Sequence, residues 1–507
     1  MVSAVANEKR TASEKREVLQ ATTFGKPTAE EEGKDLSAYF VETDQWQKIF
    51  AGEIDVVYGP KGAGKSALYA LLLSRTSELF DRGIIVVPAE NPRGAVAFRD
   101  LVSNPPADEA EFRNLWKLFF LVLLAHTLRD YGISSAHLQK VIDCLEEARL
   151  LPRNVSLHAL LRSAFTYVRR IMRGDAVAFE TTVGLDPMNS APSLTGRIRF
   201  VEPTGIEESL GCVSVEQLLE WTNLALEEAG FRVWLVLDRL DVAFAESADL
   251  ERNALRALFR VYLDLRRFNA IALKIFLRTD IWMNILRGGF REASHISSQM
   301  TISWDEASLL NLVIRRAIHN KALREFYAVD VQEVLADRGR QVELFYRIFP
   351  RRVHSSEQAR AFEWILQNTC DGSRRNSPRE LIHLLTVAQR LQLRRMEIGQ
   401  APPDGESLFE SPCLLRALPE VSRVRFEQTL CAEYPQLRER MQQLENEKSL
   451  QTAGTLATIW GLNLHTALET AYQLVDIGFF QFKGTRHSPE FKVPLLYQRA
   501  LKMRTLR

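Results

Sequence analysis

The sequence predicts an α/β protein with a parallel β-sheet that is covered by helices on both faces. Short apolar runs rich in Val, Ile and Leu are separated by longer stretches with helical periodicity. Continuous apolar runs are typical of parallel strands, because both faces of such a sheet are buried. The predicted strands are Ile54–Tyr58, Gly83–Pro88, Val233–Leu237, Ile271–Leu277 and Met300–Ile302. In a sheet of this kind, ligands bind at the carboxyl ends of the strands.

A glycine-rich motif lies between the first predicted strand and a helix predicted from Ala67 onward. The motif fits G-x-x-x-x-G-K-[ST] and consists of Gly59, Pro60, Lys61, Gly62, Ala63, Gly64, Lys65 and Ser66. Its glycines let backbone N–H groups turn toward a phosphate chain, and the helix N-terminus adds a positive dipole end. Lys65 then contacts the β- and γ-phosphates, and the Ser66 hydroxyl ligates Mg²⁺. A glycine loop without a ligand is the alternative, but both flanks favour a P-loop that binds ATP and Mg²⁺.

Two further charged residues lie at the carboxyl ends of predicted strands. Asp238 directly follows the apolar run Val233–Leu237, which is the Walker B arrangement. Its carboxylate is predicted to hold Mg²⁺ directly or through water, so Ser66 and Asp238 are the predicted metal ligands. Arg278 follows the fourth strand. Ser66, Asp238 and Arg278 can therefore lie in one cleft at this edge of the sheet.

Composition and charge exclude several classes of protein. The 507 residues carry a net charge of +1, which predicts no strong global attraction to nucleic acid or to a membrane. The five cysteines are scattered and form no C-x-x-C pair, which argues against a disulfide framework or zinc site and favours a reducing cytoplasm. The longest apolar run, Leu118–Ala125, is too short to cross a bilayer, and we expect neither a signal peptide nor a membrane partner.

The length suggests about three domains, and the pattern divides the chain further. The predicted regions are an N-terminal tail and arm (1–45), an ATPase core (46–304) with a helical insert (about 105–230), a helical lid (305–400), a linker (401–416) and a C-terminal domain (417–507). In the lid, Ser377 is predicted to cap a helix with Pro378 in its first position. Arg379 then lies in the first turn, where its charge opposes the helix dipole and indicates a partner such as a phosphate.

The C-terminal domain has the outline of a winged helix. Two short predicted helices, Thr455–Trp460 and Leu464–Ile477, are followed by a predicted hairpin of Phe479–Phe482 and Phe491–Val493. Basic residues on the hairpin and at the end of the chain could contact DNA phosphates. Many winged helices pack only against protein, so a DNA partner and a protein partner both remain open.

Together these residues resemble an AAA+/STAND-type ATPase. The likeness rests on the P-loop, Leu237–Asp241, Phe276–Asp280 and Ser377–Arg379. It is closest to bacterial P-loop ATPases with a C-terminal winged helix, which are related to origin-recognition and apoptotic-type switch ATPases. The resemblance implies an ASCE/AAA+-like five-stranded parallel sheet of order 5-1-4-3-2, a lid and a winged helix. It also implies that Arg278 acts as a sensor and that Arg379 touches the γ-phosphate.

One position departs from the AAA+ pattern. A glutamate usually follows the Walker B aspartate and orients the attacking water, but here that residue is Arg239. Asp241, three residues after Asp238, is a candidate substitute, as in switch-type ATPases. Hydrolysis is therefore expected to be slow, with ATP acting mainly as a conformational latch.

Three functions follow as hypotheses. The first is an ATP-dependent switch that controls assembly or activity of a protein partner, either an effector or a second copy; several similar bacterial ATPases are encoded in anti-phage defence loci. The second is a DNA-binding initiator or loader that uses the winged helix and a basic helix face formed by Arg252, Arg256 and Arg260. The third is a scaffold stabilised by bound nucleotide.

Overall fold

The backbone forms two compact units. The computed structural model describes residues 13–26, 32, 36, 40–89, 108–151, 157–172, 198–209, 211–240, 248–354, 358–485 and 487–504. The core unit comprises the described residues of Asp44–Pro60 and Lys65–Thr301. The C-terminal unit comprises those of Met1–Thr43, Lys61–Gly64 and Ile302–Arg507. The predicted domain bounds stay predictions.

The core unit is built on a five-stranded parallel sheet, as the sequence predicted. The strands of this unit are β1 (Val56–Gly59), β2 (Ile84–Pro88), β3 (Ile198–Arg199), β4 (Val213–Ser214), β5 (Arg232–Leu237), β6 (Ile271–Arg278) and β7 (Gln299–Thr301). The large sheet has the order β2-β5-β6-β1-β7, and every neighbouring pair is parallel. Numbered along the sheet's own strands, this order is 2-3-4-1-5, so the implied order 5-1-4-3-2 is confirmed. The short strands β3 and β4 form a separate parallel pair.

Helices cover the sheet and form most of the described residues between β2 and β5. The helices of the core unit are Asp44–Ala51, Lys65–Ser74, Thr76–Asp81, Glu109–Asp130, Ala136–Glu147, Leu157–Met172, Gly205–Ser209, Val215–Ala229, Ala248–Leu265, Thr279–Arg287 and the 3₁₀ turn Arg291–His295. The longest, Glu109–Asp130, is capped by the Asp108 carboxylate, which accepts from Glu111 N at 2.8 Å. Trp116, Phe119 and Phe120 are fully buried in the core that this helix shares with the sheet. The apolar residues of this helix therefore pack in the core of the unit.

The C-terminal unit is helical with a small antiparallel sheet. Its helices are 13–21, Glu306–His319, Lys321–Tyr327, Val331–Ala336, Arg338–Ile348, Ala361–Thr369, Pro378–Glu397, Ser411–Arg423, the π-helix Val424–Leu430, Cys431–Glu433, Pro435–Gln442, Ala453–Trp460, Leu464–Asp476 and Leu495–Gln498. The N-terminal helix 13–21 buries Val18 and Leu19 in the same apolar cluster as the lid helices. Lys15 Nζ donates to the carbonyl of Pro403 at 2.6 Å, which ties this helix down. Within the described ranges, no helix combines the length and apolarity needed to cross a bilayer.

A helix begins inside the segment that was predicted to be a linker. Ser411–Arg423 has Pro412 at its first turn, where proline favours a helix start, and it buries Cys413 and Leu414. The helix continues through Val424–Leu430 to Glu433. The prolines and glycine of 401–405 suggested a longer irregular stretch, but the apolar residues after Pro412 pack against Pro378–Glu397.

The last part of the chain has the predicted two helices followed by a hairpin, and a strand that was not predicted precedes the helices. The strands are β8 (Leu450–Thr452), β9 (Gln481–Gly484) and β10 (Pro489–Lys492), and they form an antiparallel sheet of order β8-β10-β9. The helices Ala453–Trp460 and Leu464–Asp476 lie between β8 and β9 in sequence. The winged-helix interpretation itself stays a prediction.

Candidate nucleotide-binding site

The P-loop backbone has the positive φ angles that its glycines permit. Strand β1 ends at Gly59 and the following helix begins at Lys65. Gly62 has φ +84° and Gly64 has φ +101°, in a region that residues with a Cβ atom rarely adopt. Lys65 Nζ donates to the carbonyls of Gly59 at 2.8 Å and Pro60 at 3.0 Å. These bonds hold the Lys65 ammonium group against the P-loop, whose bound phosphates it is predicted to contact.

The core unit brings Arg278 next to the P-loop strand. In the parallel pair of β1 and β6, Gly59 is the register partner of Arg278. Asp280 binds the Arg278 guanidinium in a bidentate pair, with Nε–Oδ1 3.1 Å and Nη2–Oδ2 2.7 Å. Asp280 was missing from the predicted site, although its spacing of two residues after Arg278 was visible in the sequence. It fixes the guanidinium plane, so Arg278 is oriented at the end of β6.

Asp238 is buried directly after β5. Only 3% of its surface is exposed, and β6 separates β5 from β1 in the sheet. Neighbouring strands are about 4.8 Å apart, so the ends of β5 and β1 are separated by roughly two such steps. Mg²⁺ uses one or two protein oxygens together with phosphate oxygens and water, and a hydroxyl and a carboxylate fit that donor chemistry. Ser66 and Asp238 are the residues that would hold it.

The residue that replaces the usual glutamate has an unusual backbone conformation. Arg239 has φ +59°, the left-handed region, which costs a non-glycine residue about 1–3 kcal/mol. Such strain occurs preferentially at functional sites, and here it turns the chain immediately after Asp238. Asp241 lies outside the described residues.

Residues 61–64 of the P-loop belong to the C-terminal unit, where three side chains contact them. Ser377 Oγ donates to the carbonyl of Gly62 at 2.9 Å. The indole Nε1 of Trp304 donates to the carbonyl of Ala63 at 2.8 Å. Lys61 forms an ion pair with Glu433. Trp304 and Glu433 were missing from the predicted site, because no local pattern links them to a glycine loop far away in sequence.

The lid helix begins as predicted and places Arg379 beside the same loop. Ser377 caps Pro378–Glu397 by accepting from Arg379 N, and Pro378 occupies the first turn. A Cβ atom added to Gly62 would lie 3.2 Å from Arg379 Cβ and 2.6 Å from Ser377 Oγ. Arg379 is thus adjacent to the P-loop, whereas its contact with the γ-phosphate stays a prediction.

A buried ion pair follows Arg379 on this helix. The carboxylate of Glu380 lies 3.2 Å from the Arg425 guanidinium, on the π-helix Val424–Leu430, and both side chains are at least nine-tenths buried. Asp371 and Tyr497 lie close enough to interact with the same guanidinium. Burial raises the pKa of Asp371, and it raises the pKa of Tyr497 to about 12. The first turn of the lid helix is therefore anchored to the segment that ends at Glu433.

Replacing Gly62 with alanine is expected to destabilise the protein and to weaken nucleotide binding. The left-handed φ costs an alanine about 1–2 kcal/mol. The new Cβ also collides with Ser377 Oγ, and overpacking of this kind adds about 1–3 kcal/mol. Gly399→Ala is the matched control, because Gly399 has φ +82° but no atom within 4 Å of the added Cβ. Urea unfolding measures the stability of both variants, and titration measures their affinity for ATP. Equal losses of stability and of ATP affinity in Gly62→Ala and Gly399→Ala would contradict this account of the loop.

Comparisons with known proteins add a likeness to a solved structure. No protein-family model matches the chain. No curated protein matches it. A solved structure of the Aeropyrum pernix ORC2 protein, in ADPNP-ADP complexes, is similar to this chain at 12% sequence identity. The likeness covers 90% of this chain and 92% of that chain, with a TM-score of 0.31.

Proposed function

We propose that this chain is an AAA+/STAND-type switch that binds ATP, hydrolyses it slowly and controls the assembly or activity of a protein partner. One observation carries the proposal: the P-loop carbonyls of Gly62 and Ala63 are hydrogen-bonded by Ser377 and Trp304 of the C-terminal unit. A phosphate chain held by this loop would alter contacts inside that unit. A ligand shifts a conformational equilibrium only through such differential contacts.

The proposed site assigns a role to each predicted residue. The P-loop amides and Lys65 bind the phosphates, and Ser66 and Asp238 would hold Mg²⁺, which when bound would neutralise developing phosphate charge. Arg278, oriented by Asp280, stabilises that charge from the end of β6. Asp241 orients water in place of the missing glutamate. Because Arg239 occupies the usual glutamate position, turnover is slow and the ATP state persists.

The exposed face of the second helix of the predicted winged helix favours a protein partner over DNA. The exposed residues of Leu464–Asp476 include Leu464, Tyr472 and the acids Glu469 and Asp476, and the helix contains no lysine or arginine. A helix that contacts DNA phosphates normally presents basic residues, whose charge supplies much of the affinity. The proposed partner is therefore a protein effector or a second copy, and similar ATPases in anti-phage loci suggest defence as the setting.

The basic helix face proposed for DNA is engaged within the core unit. Arg256 donates to the carbonyl of Gly288, and Arg260 pairs with Glu292 at 3.0 Å. Arg252 pairs with Asp249. Binding a polyanion there would require breaking these contacts. The initiator hypothesis would be supported by DNA binding with a steep log–log salt dependence, and the switch hypothesis expects none.

Arg379→Ala is expected to abolish the preference for ATP over ADP without weakening ADP binding. A charge-assisted hydrogen bond to the γ-phosphate contributes about 1.5–3 kcal/mol, so the ATP/ADP affinity ratio should fall about 10- to 150-fold. Calorimetric titration with each nucleotide measures that ratio. Arg390→Ala is the control, because Arg390 lies on the same helix and pairs with Glu420 at a largely exposed position. An unchanged ratio in Arg379→Ala would show that this arginine only stabilises the lid.

A further inference from the structure

We infer that Trp304 and Ser377 are positioning residues that set the peptide planes of the P-loop for phosphate binding. The inference rests on the proposed function and assigns roles to two side chains that lie outside the P-loop motif. Each donates one hydrogen bond to a P-loop carbonyl, at 2.8 Å from Trp304 Nε1 to Ala63 O and 2.9 Å from Ser377 Oγ to Gly62 O. These are ordinary, well-formed distances.

Peptide geometry converts these bonds into an orientation of the loop amides. In a planar trans peptide, the carbonyl of one residue and the N–H of the next point in opposite directions. No cis peptide occurs among the described residues. A bond that fixes Gly62 C=O therefore also fixes Ala63 N–H, and a bond that fixes Ala63 C=O also fixes Gly64 N–H. With the carbonyls held by the C-terminal unit, the two amides face the opposite side, where P-loop amides bind phosphate.

Both donors are themselves held in place. The Trp304 ring packs against a small apolar cluster of Val41, Leu312 and Ile382. Trp304 directly precedes Asp305, the N-cap residue of the helix Glu306–His319. The Asp305 carboxylate accepts from Ser308 N at 2.7 Å. Ser377 is fixed by its own capping bond to Arg379 N. A preorganised loop binds a ligand better because the cost of ordering it has already been met in folding.

This role differs from that of Arg379 in a measurable way. The loop amides contact the α- and β-phosphates, which ATP and ADP share. Loss of either donor should therefore weaken the binding of ATP and of ADP by the same factor and leave their affinity ratio unchanged. Loss of the Arg379 guanidinium should change the ratio.

The test uses conservative variants of the full-length chain and a matched tryptophan control. Trp304→Phe keeps a ring and removes the N–H donor, and we expect the Kd values for ATP and ADP to rise together by about 2- to 12-fold. Trp460→Phe removes an equivalent bond in the same unit, from Nε1 to the carbonyl of Arg440 at 2.9 Å, and should leave both Kd values unchanged. Ser377→Ala should lower the affinity for both nucleotides. Ser377→Thr keeps the hydroxyl and the helix cap, so it should bind both nucleotides like the wild type.

The outcomes separate this inference from the function on which it rests. A wild-type chain that binds neither nucleotide would overturn the proposed function. If the wild type binds both, equal affinities in the wild type and Trp304→Phe would overturn the inference alone. Weakening of the same size in Trp460→Phe would also overturn it, because the effect would then reflect general destabilisation.

Discussion

Lys65→Ala is expected to weaken ATP binding by about 10²- to 10⁴-fold. The ammonium group is predicted to make charge-assisted bonds to the β- and γ-phosphates, and each such bond contributes about 1.5–3 kcal/mol. Alanine retains the helix start at Lys65, because it has the highest helix propensity. The folded state should therefore persist, and calorimetric titration of ATP with Mg²⁺ measures the loss.

The control for Lys65 is another lysine of the core unit. Lys48 is paired with Asp44 on the helix Asp44–Ala51, and Lys48→Ala removes only this exposed ion pair. We expect this variant to bind ATP like the wild type. Undiminished ATP affinity in Lys65→Ala would show that the glycine motif is not a nucleotide site.

Glu380→Gln is expected to lower the free energy of unfolding by about 3–5 kcal/mol. Arg425 is buried, and the change leaves its guanidinium without the carboxylate that lies 3.2 Å away. Removing one partner of a buried ion pair is costly, and Asp371 compensates the remaining charge only in part because burial raises its own pKa. Urea unfolding of the full-length chain measures the loss.

A double variant and an exposed pair serve as controls for Glu380. Glu380→Gln combined with Arg425→Met removes both charges and should recover a substantial part of the lost stability. Glu406→Gln breaks the exposed pair between Glu406 and Arg347 and should cost at most about 1 kcal/mol. A loss in Glu380→Gln no larger than that in Glu406→Gln would contradict the assignment of a buried anchor behind Arg379.

The sheet was predictable because its signals are local. Each strand is a short apolar run that ends at a polar residue or turn, and the alternation with helices requires parallel pairing. The strand order followed only from the resemblance, since the apolar runs do not specify their neighbours. The lid helix start at Ser377 and Pro378 was also local, because capping depends on residues a few positions apart.

The partners of the P-loop were not predictable in this way. Trp304 contacts Ala63 across 241 residues, and the sequence of neither segment indicates the other. Glu433 ends a helical stretch whose π-helix has no distinguishing pattern. The basic face of Ala248–Leu265 was visible, but the partners of Arg256 and Arg260 near Gly288 and Glu292 depend on tertiary packing. Long-range contacts of single polar side chains are therefore what the structure adds.

Amide hydrogen exchange of the full-length chain tests the central claim most directly. Exchange would be measured without nucleotide, with ADP and with ATP, each in the presence of Mg²⁺. The account predicts that both nucleotides slow exchange at Gly59–Ser66, and that ATP alone produces a further change at the start of Pro378–Glu397 and in Val424–Glu433. Identical exchange in all three samples across these segments would contradict the proposal that a nucleotide at the P-loop controls the C-terminal unit.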